Sequence, residues 1–199
     1  MEKLTFYYSA MKGGKTDALL QVAYNYEQNG MKVVVLKSSI DTKGKDCIVS
    51  RNGSKRKVDI ILEPNERVIS KKNSELLKDC NCILVDGAQF LTARQVEDLF
   101  MITKQISLPV ICYGLKTNFK GELFEGSKRL IELADNIDEL DMVPLCSCGQ
   151  KARFNGRKEN GVYTLSGDEV EIDGVYNNVE HVSLCSKCYY QKVFKKKLR

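Results

Sequence analysis

Several things are scarce in this chain. No apolar run among its 199 residues approaches the roughly 20 that would span a bilayer, so no membrane-spanning helix is expected. There is no internal repeat and no low-complexity segment, which argues against repeat arrays and compositionally biased linkers. The only histidine is His181, so a site built from several imidazoles is excluded. The net charge of +5 is modest, and much of it lies in Lys195-Lys196-Lys197-Leu198-Arg199. That tail reads as a solvated terminus. No aromatic-and-basic strand-binding face is evident elsewhere, so neither nucleic acid nor a membrane is an expected partner. Met1 leads almost at once into the apolar Leu4-Thr5-Phe6-Tyr7-Tyr8, so no signal peptide and a cytoplasmic location are expected.

What is present belongs to a folded protein. A hydrophobic fraction of 43% is globular, and the length suits one domain with a small appendage. Eight cysteines in a cytosolic chain are not expected to form disulfides, so their positions matter more than their number.

The most informative stretch is Ser9-Ala10-Met11-Lys12-Gly13-Gly14-Lys15-Thr16. It lies between the apolar run at 4–8 and a helix-like run with Leu19, Val22, Ala23 and Tyr26 at three-to-four spacing. Strand, glycine-bearing loop, lysine, hydroxyl residue and helix is the order of a phosphate-binding loop, G-x-x-x-x-G-K-[ST], with Ser9 in place of the first glycine. Gly13 and Gly14 let backbone N–H groups curl around an anion. Lys15 brings a positive charge to phosphates, Thr16 an oxygen to Mg²⁺, and the helix start a positive dipole end.

The helix is expected to end at Asn29-Gly30, before a buried strand at 31–36. Strand, helix and strand at this spacing make a βαβ unit with parallel strands. From 37 to 57 the pattern dissolves into a polar loop. A short strand at 58–62 and a short helix capped by Asn73 or Ser74 follow. Cys82-Ile83-Leu84-Val85-Asp86 is a buried strand ending in an acid, the Walker B arrangement, in which the carboxylate serves Mg²⁺. Thr92-Ala93-Arg94-Gln95 is a capping box for a helix to about residue 106. A strand at 109–114, a polar loop, a helix at 124–134 and a last strand from 136 complete the first part. This predicts one domain over 1–143 and a second, C-terminal one over 144–199.

The second part is rich in glycine and charge, so its core is small and it needs an external staple. Cys146-Ser147-Cys148 and Cys185-Ser186-Lys187-Cys188 frame it. Two local thiol pairs suit a tetrahedral zinc site, although C-x-C is tighter than the usual spacing. His181 lies four residues before Cys185 and reads as part of the loop that the metal holds. Cys47, Cys80, Cys82 and Cys112 read as structural or core thiols.

Taken in order, these blocks resemble the type II, zinc-containing thymidine kinase family, nearly end to end. The phosphate loop, Ile40-Asp41-Thr42-Lys43, Val85-Asp86-Gly87-Ala88-Gln89-Phe90, the stretch from Tyr113 to Phe124 and the cysteine pairs all carry the likeness. The resemblance implies an α/β fold: a RecA-like P-loop parallel-sheet core with a small C-terminal zinc-ribbon lasso domain. It implies transfer of the γ-phosphate of ATP to the 5′-hydroxyl of thymidine with Mg²⁺, feedback inhibition by thymidine triphosphate, and a homotetramer. Carried over by position, ATP would meet Ser9 to Thr16 and Asp86, Gly87, Ala88 and Gln89. Thr16 and Asp86 would serve Mg²⁺, and Lys15 would act on the transferred phosphate. The nucleoside would meet Phe90, Leu115, Phe119 and Phe124, for which core packing is the alternative, and Ile172 and His181 on the lasso side. Cys146, Cys148, Cys185 and Cys188 would hold zinc.

One departure concerns the chemistry. Where the family has a glutamate assigned as proton acceptor, this chain has Gly87. A general base is worth roughly 10²–10⁴-fold, so slow turnover is expected. Phosphoryl transfer nevertheless depends mostly on positioning and charge, and the only evident substitutes are Asp41 and Asp86. A non-catalytic nucleotide-binding regulatory homologue is the second reading that Gly87 allows.

Overall fold

Short runs of β-branched and other apolar residues build one parallel sheet whose two faces are both covered. The computed structural model describes residues 2–142, 144–167 and 178–195. β1 (Leu4–Tyr8) enters the phosphate loop, and α1 (Lys15–Gln28) leaves it. β2 (Val33–Ser38) begins two residues later than the apolar run suggests and reaches further into the polar stretch. Residues 37–57, expected as an irregular loop, instead contain a small antiparallel hairpin of β3 (Cys47–Val49) and β4 (Lys55–Lys57). Its turn holds Asn52-Gly53, with Gly53 at φ 92°, a conformation that glycine adopts without steric cost.

β5 (Ile60–Leu62) and the short α2 (Ser74–Lys78) follow. Asn73 stands at the α2 N-cap position, but its side chain makes no capping bond and donates to the Val68 carbonyl at 3.1 Å. β6 (Cys82–Asp86) and α3 (Ala93–Met101) form where expected. The capping box is present: Gln95 N–H donates to Thr92 Oγ1 at 3.3 Å, and Thr92 N–H to Gln95 Oε1 at 3.1 Å. α3 then passes into a π-helical turn over Ile102–Ile106. β7 (Val110–Gly114), α4 (Glu125–Leu133) and β8 (Asn136–Glu139) complete the sheet.

The strand order is β5-β2-β6-β7-β1-β8, and every pairing is parallel. Alternation along the strands divides the core in two. Val34, Leu36, Ile83, Val85, Leu4 and Phe6 pack with α3 and α4 residues such as Val96, Leu99 and Leu130. Val33, Val35, Cys82 and Leu84 face the other way, against Leu19 and Ala23 of α1. The parallel topology brings the carboxyl ends of β1, β6 and β7 to one edge, where ligands bind in open α/β sheets.

A second, three-stranded sheet has β9 (Phe154–Glu159) between β10 (Val162–Thr164) and β11 (Val179–Leu184), all antiparallel. The short α5 (Ser186–Tyr189) follows β11 and continues into a π-helical turn over Tyr190–Phe194. Phe154, Val182, Leu184, Tyr189 and Val193 form a small core around three of the four paired cysteines. Among the described residues, no helix is long and apolar enough to cross a membrane.

Candidate functional site

The phosphate loop is shaped by steric need at its glycines. A Cβ on Gly13 would overlap Ser9 Oγ, and one on Gly14 would overlap Met142. Gly14 is also left-handed, at φ 66°, and stands at the N-cap of α1. Ser9 fills the motif's first position with a use of its own. Its Oγ donates to Ala10 O at 3.0 Å, while Lys15 Nζ donates to Ser9 Oγ at 3.2 Å and to Ala10 O at 2.9 Å. The hydroxyl therefore ties the loop's two ends together, a role that a glycine could not fill.

Thr16 lies across from the end of β6, and its Oγ1 is 3.4 Å from both oxygens of Asp86. Burial raises the Asp86 carboxyl to about 6; Asp41 adds repulsion and Lys15 opposes it. Burial likewise lowers the Lys15 ammonium to about 8, with Asp86 opposing and Arg51 and Lys43 adding to the fall. Two groups desolvated together, with opposite charge and shifted toward neutrality, mark a polar site enclosed by protein.

These groups open on one cavity of about 280 Å³. Met11 to Thr16, Asp86, Gly87, Gln89 and Leu115 line it. Ser9 and Ala10 lie on a neighbouring small pocket with Lys116 and Asn155. Ala88 is fully buried under the site. Asp41, Lys43, Ser50 and Arg51 line the cavity from the segment expected to be loop. The hairpin that carries Ser50 and Arg51 is fastened to α1 by Asn52 Nδ2 donating to Asp17 Oδ1 at 2.6 Å. Asn52-Gly53 was the sequence signal that could have found it.

Gln89 reaches across to the end of β7. Leu115 N–H donates to Gln89 Oε1 at 3.0 Å, and Ser127 Oγ donates to Leu115 O at 2.5 Å. Both polar atoms of the Leu115 peptide are thus held. Of the aromatic candidates, Phe90 meets Phe124 edge-on at 5.9 Å, and neither lines the cavity. Phe119 is 3% exposed, with the Arg157 guanidinium over its ring at 5.2 Å and Tyr189 Oη donating to its carbonyl at 3.1 Å. His181 lies on β11, paired in register with Arg157. Ile172 lies outside the described residues.

Position 87 has a left-handed backbone, φ 61°. A Cβ there would meet Asp41 Oδ2 and Phe90 Cδ2 at 3.5 Å, ordinary contact distances. A Cβ is therefore accommodated at position 87, although the backbone conformation disfavours one.

At the second sheet, Cys146, Cys148, Cys185 and Cys188 converge, with all four Sγ atoms within 4.8 Å of one another. The Gly149 turn, φ 82°, returns its N–H to Cys146 O at 2.8 Å and closes the first pair into a knuckle. Cys188 N–H donates to Cys185 Sγ and lowers that thiol. Four soft thiol ligands at such separations fit a tetrahedral metal such as zinc, with Zn–S bonds of roughly 2.3 Å.

Comparison with known proteins agrees with this geometry. The family model for thymidine kinase matches residues 2–189. The chain is 43% identical over 190 residues to a thymidine kinase of Enterobacteria phage T4, covering 94% of this chain and 95% of that one. It is 37% identical over 195 residues to one from Pasteurella multocida, covering 97% and 99%. It is 41% identical over 192 residues to one from Legionella pneumophila strain Paris, covering 95% and 90%. A phosphate loop facing the acid at the end of β6, a four-cysteine cluster and a match along nearly the whole length lead to one conclusion. This chain belongs to the thymidine kinase family.

Proposed function

We propose that this protein is a thymidine kinase, transferring the γ-phosphate of ATP to the 5′-hydroxyl of thymidine. The observation that carries the reading is the meeting of Lys15, Thr16 and Asp86 on one cavity that also reaches Gln89 and Leu115. The loop's N–H groups, Lys15 and the start of α1 bind and orient the phosphates. Thr16 and Asp86 would hold Mg²⁺, which supplies charge neutralisation of the phosphate oxygens when bound. Asp41, Lys43 and Arg51 line the same wall and set the local charge. Leu115, fixed at the cavity wall, is read as the nucleoside side; the roles of Phe90, Phe119, Phe124, His181 and Ile172 there rest on family resemblance alone. Residues 1–143 and 144–199 are read as the two domains. Zinc is the structural metal of the second. A cytoplasmic homotetramer inhibited by thymidine triphosphate completes the reading, and these last features rest on family resemblance.

Gly87 leaves the 5′-hydroxyl without the expected proton acceptor, and Asp41 and Asp86 are the nearest acids. Turnover is therefore slow, and positioning supplies most of the acceleration that remains. The test is phosphate transfer in this protein and in Gly87→Glu. The glutamate variant is expected to gain roughly 10²-fold or more in kcat, the range of a restored general base. If neither protein transfers phosphate above background, the catalytic reading fails. ATP binding by calorimetry without transfer in either protein would favour a nucleotide-binding regulatory protein, the reading that Gly87 alone motivates.

A further inference from the structure

Met11 stands within the phosphate loop, and both polar atoms of its peptide are held from the second sheet. Its N–H donates to Asn155 Oδ1 at 2.8 Å. Its carbonyl accepts from Ser183 Oγ at 2.7 Å. Asn155 on β9 and Ser183 on β11 are register partners, so the two bonds come from one rung of the antiparallel ladder. Asn155 uses its other end too, with Nδ2 donating to Thr117 O at 2.9 Å. One side chain thus joins the phosphate loop, the loop after β7 and the second sheet.

The alternation of β9 and β11 explains how these polar groups come to face the loop. Phe154, Val182 and Leu184 turn toward the small core at the cysteines. Asn155 and Arg157 take the opposite face, where Arg157 covers Phe119. Asn155 and Ser183 are 4% and 7% exposed, so their bonds form away from competing water. Lys12, next in the chain, is left-handed at φ 64° without being glycine. Such a conformation persists where neighbouring contacts over-determine it, and the held Met11 peptide is such a contact. β11 runs directly into Cys185, and Phe154 stacks on Tyr189 beside Cys188 at a centroid distance of 4.6 Å. The rung that grips the loop is therefore anchored next to the cysteine cluster.

We propose that Asn155 and Ser183 are positioning residues that hold the phosphate loop in its nucleotide-binding shape, so that the second sheet contributes to ATP affinity. The inference rests on the reading of the loop as the ATP site. Neither residue needs to touch the nucleotide. Each acts through the Met11 peptide.

The experiment is calorimetric titration of Mg·ATP into the metal-containing protein and into Asn155→Ala, Ser183→Ala, Ser183→Thr and Asn155→Asp. Losing one hydrogen bond of ordinary strength should weaken ATP by roughly three- to tenfold in each alanine variant. Bound metal per chain should stay the same. Ser183→Thr keeps the hydroxyl and should restore most of the affinity. Asn155→Asp keeps the acceptor for Met11 N–H, loses the donor to Thr117, and should fall between Asn155→Ala and the parent. If Asn155→Ala does not fold, the Ser183→Ala and Ser183→Thr pair decides the matter. Unchanged ATP affinity in alanine variants that retain their metal overturns the proposal and leaves the kinase reading standing. Absence of ATP binding in the parent protein overturns both.

Discussion

At position 87 the left-handed backbone disfavours a side chain, while a Cβ would meet Asp41 and Phe90 only at ordinary contact distances. A glutamate's Cβ would be accommodated, but the residue would be held at φ 61°, a cost of roughly 1–2 kcal/mol. Gly87→Glu is therefore expected to lower unfolding free energy by about that amount, measured by chemical denaturation, even as it raises turnover. An unchanged or higher stability would contradict the strain assigned to this backbone. A second residue tests the scaffold behind the site. Asp98 of α3 is fully buried and accepts from Val68 N–H at 2.9 Å and Ile69 N–H at 3.3 Å. It also pairs with Arg67 through both carboxylate oxygens. Asp98→Ala removes the common acceptor of four N–H donors, leaves the buried Val68 N–H without a partner, and should cost roughly 1–3 kcal/mol, read as a lowered denaturation midpoint. Lys15, Thr16 and Asp86 were legible in the sequence because their chemistry dictates their spacing. Asp98, Asn155 and Ser183 were not, because each finds its partners through tertiary folding. Nothing within ten residues of Asn155 in the chain marks it as a contact of Met11.

The elements divide along the same line. The parallel strands and α1, α3 and α4 were readable because long apolar patterns and the Thr92 capping box point to one structure. That box gives a direct test. Thr92→Ala removes the acceptor for Gln95 N–H and should destabilise by about 1 kcal/mol in equilibrium unfolding. No change would mean that the α3 start is held by packing alone. The β3–β4 hairpin escaped the sequence reading because three-residue strands carry little periodicity and one of them is Lys55-Arg56-Lys57. Its function is to carry Ser50 and Arg51 to the cavity wall. The three strands of the second sheet were only partly visible, since β9 mixes Asn155, Gly156 and Arg157 with little apolar content. Their order comes from a few aromatics and the cysteine cluster.

For the whole molecule, the question is what sustains the second sheet, whose four-cysteine cluster could hold a metal such as zinc. Its apolar core is small and gathers around Cys146, Cys185 and Cys188. Metal binding of this kind contributes on the order of 10 kcal/mol to folding. Metal analysis should find about one zinc per chain, and Cys185→Ser should lose it. Amide exchange should then quicken across β9 and β11 while the six-stranded sheet stays protected, because that sheet has its own two-sided core. Full metal retention in Cys185→Ser would count against the four-cysteine assignment. The two sheets meet at the phosphate loop, where Asn155 and Ser183 bond Met11, so the four-cysteine part and the phosphate-loop part are joined directly. The most direct test of the kinase reading is transfer of the labelled γ-phosphate of ATP to thymidine, followed in a single turnover with excess protein and compared with Lys15→Met. The account predicts slow but measurable thymidine monophosphate formation in the parent protein and a fall of at least roughly 10²-fold in Lys15→Met. Equal rates in the two proteins, or no product at all even from Gly87→Glu, would contradict it.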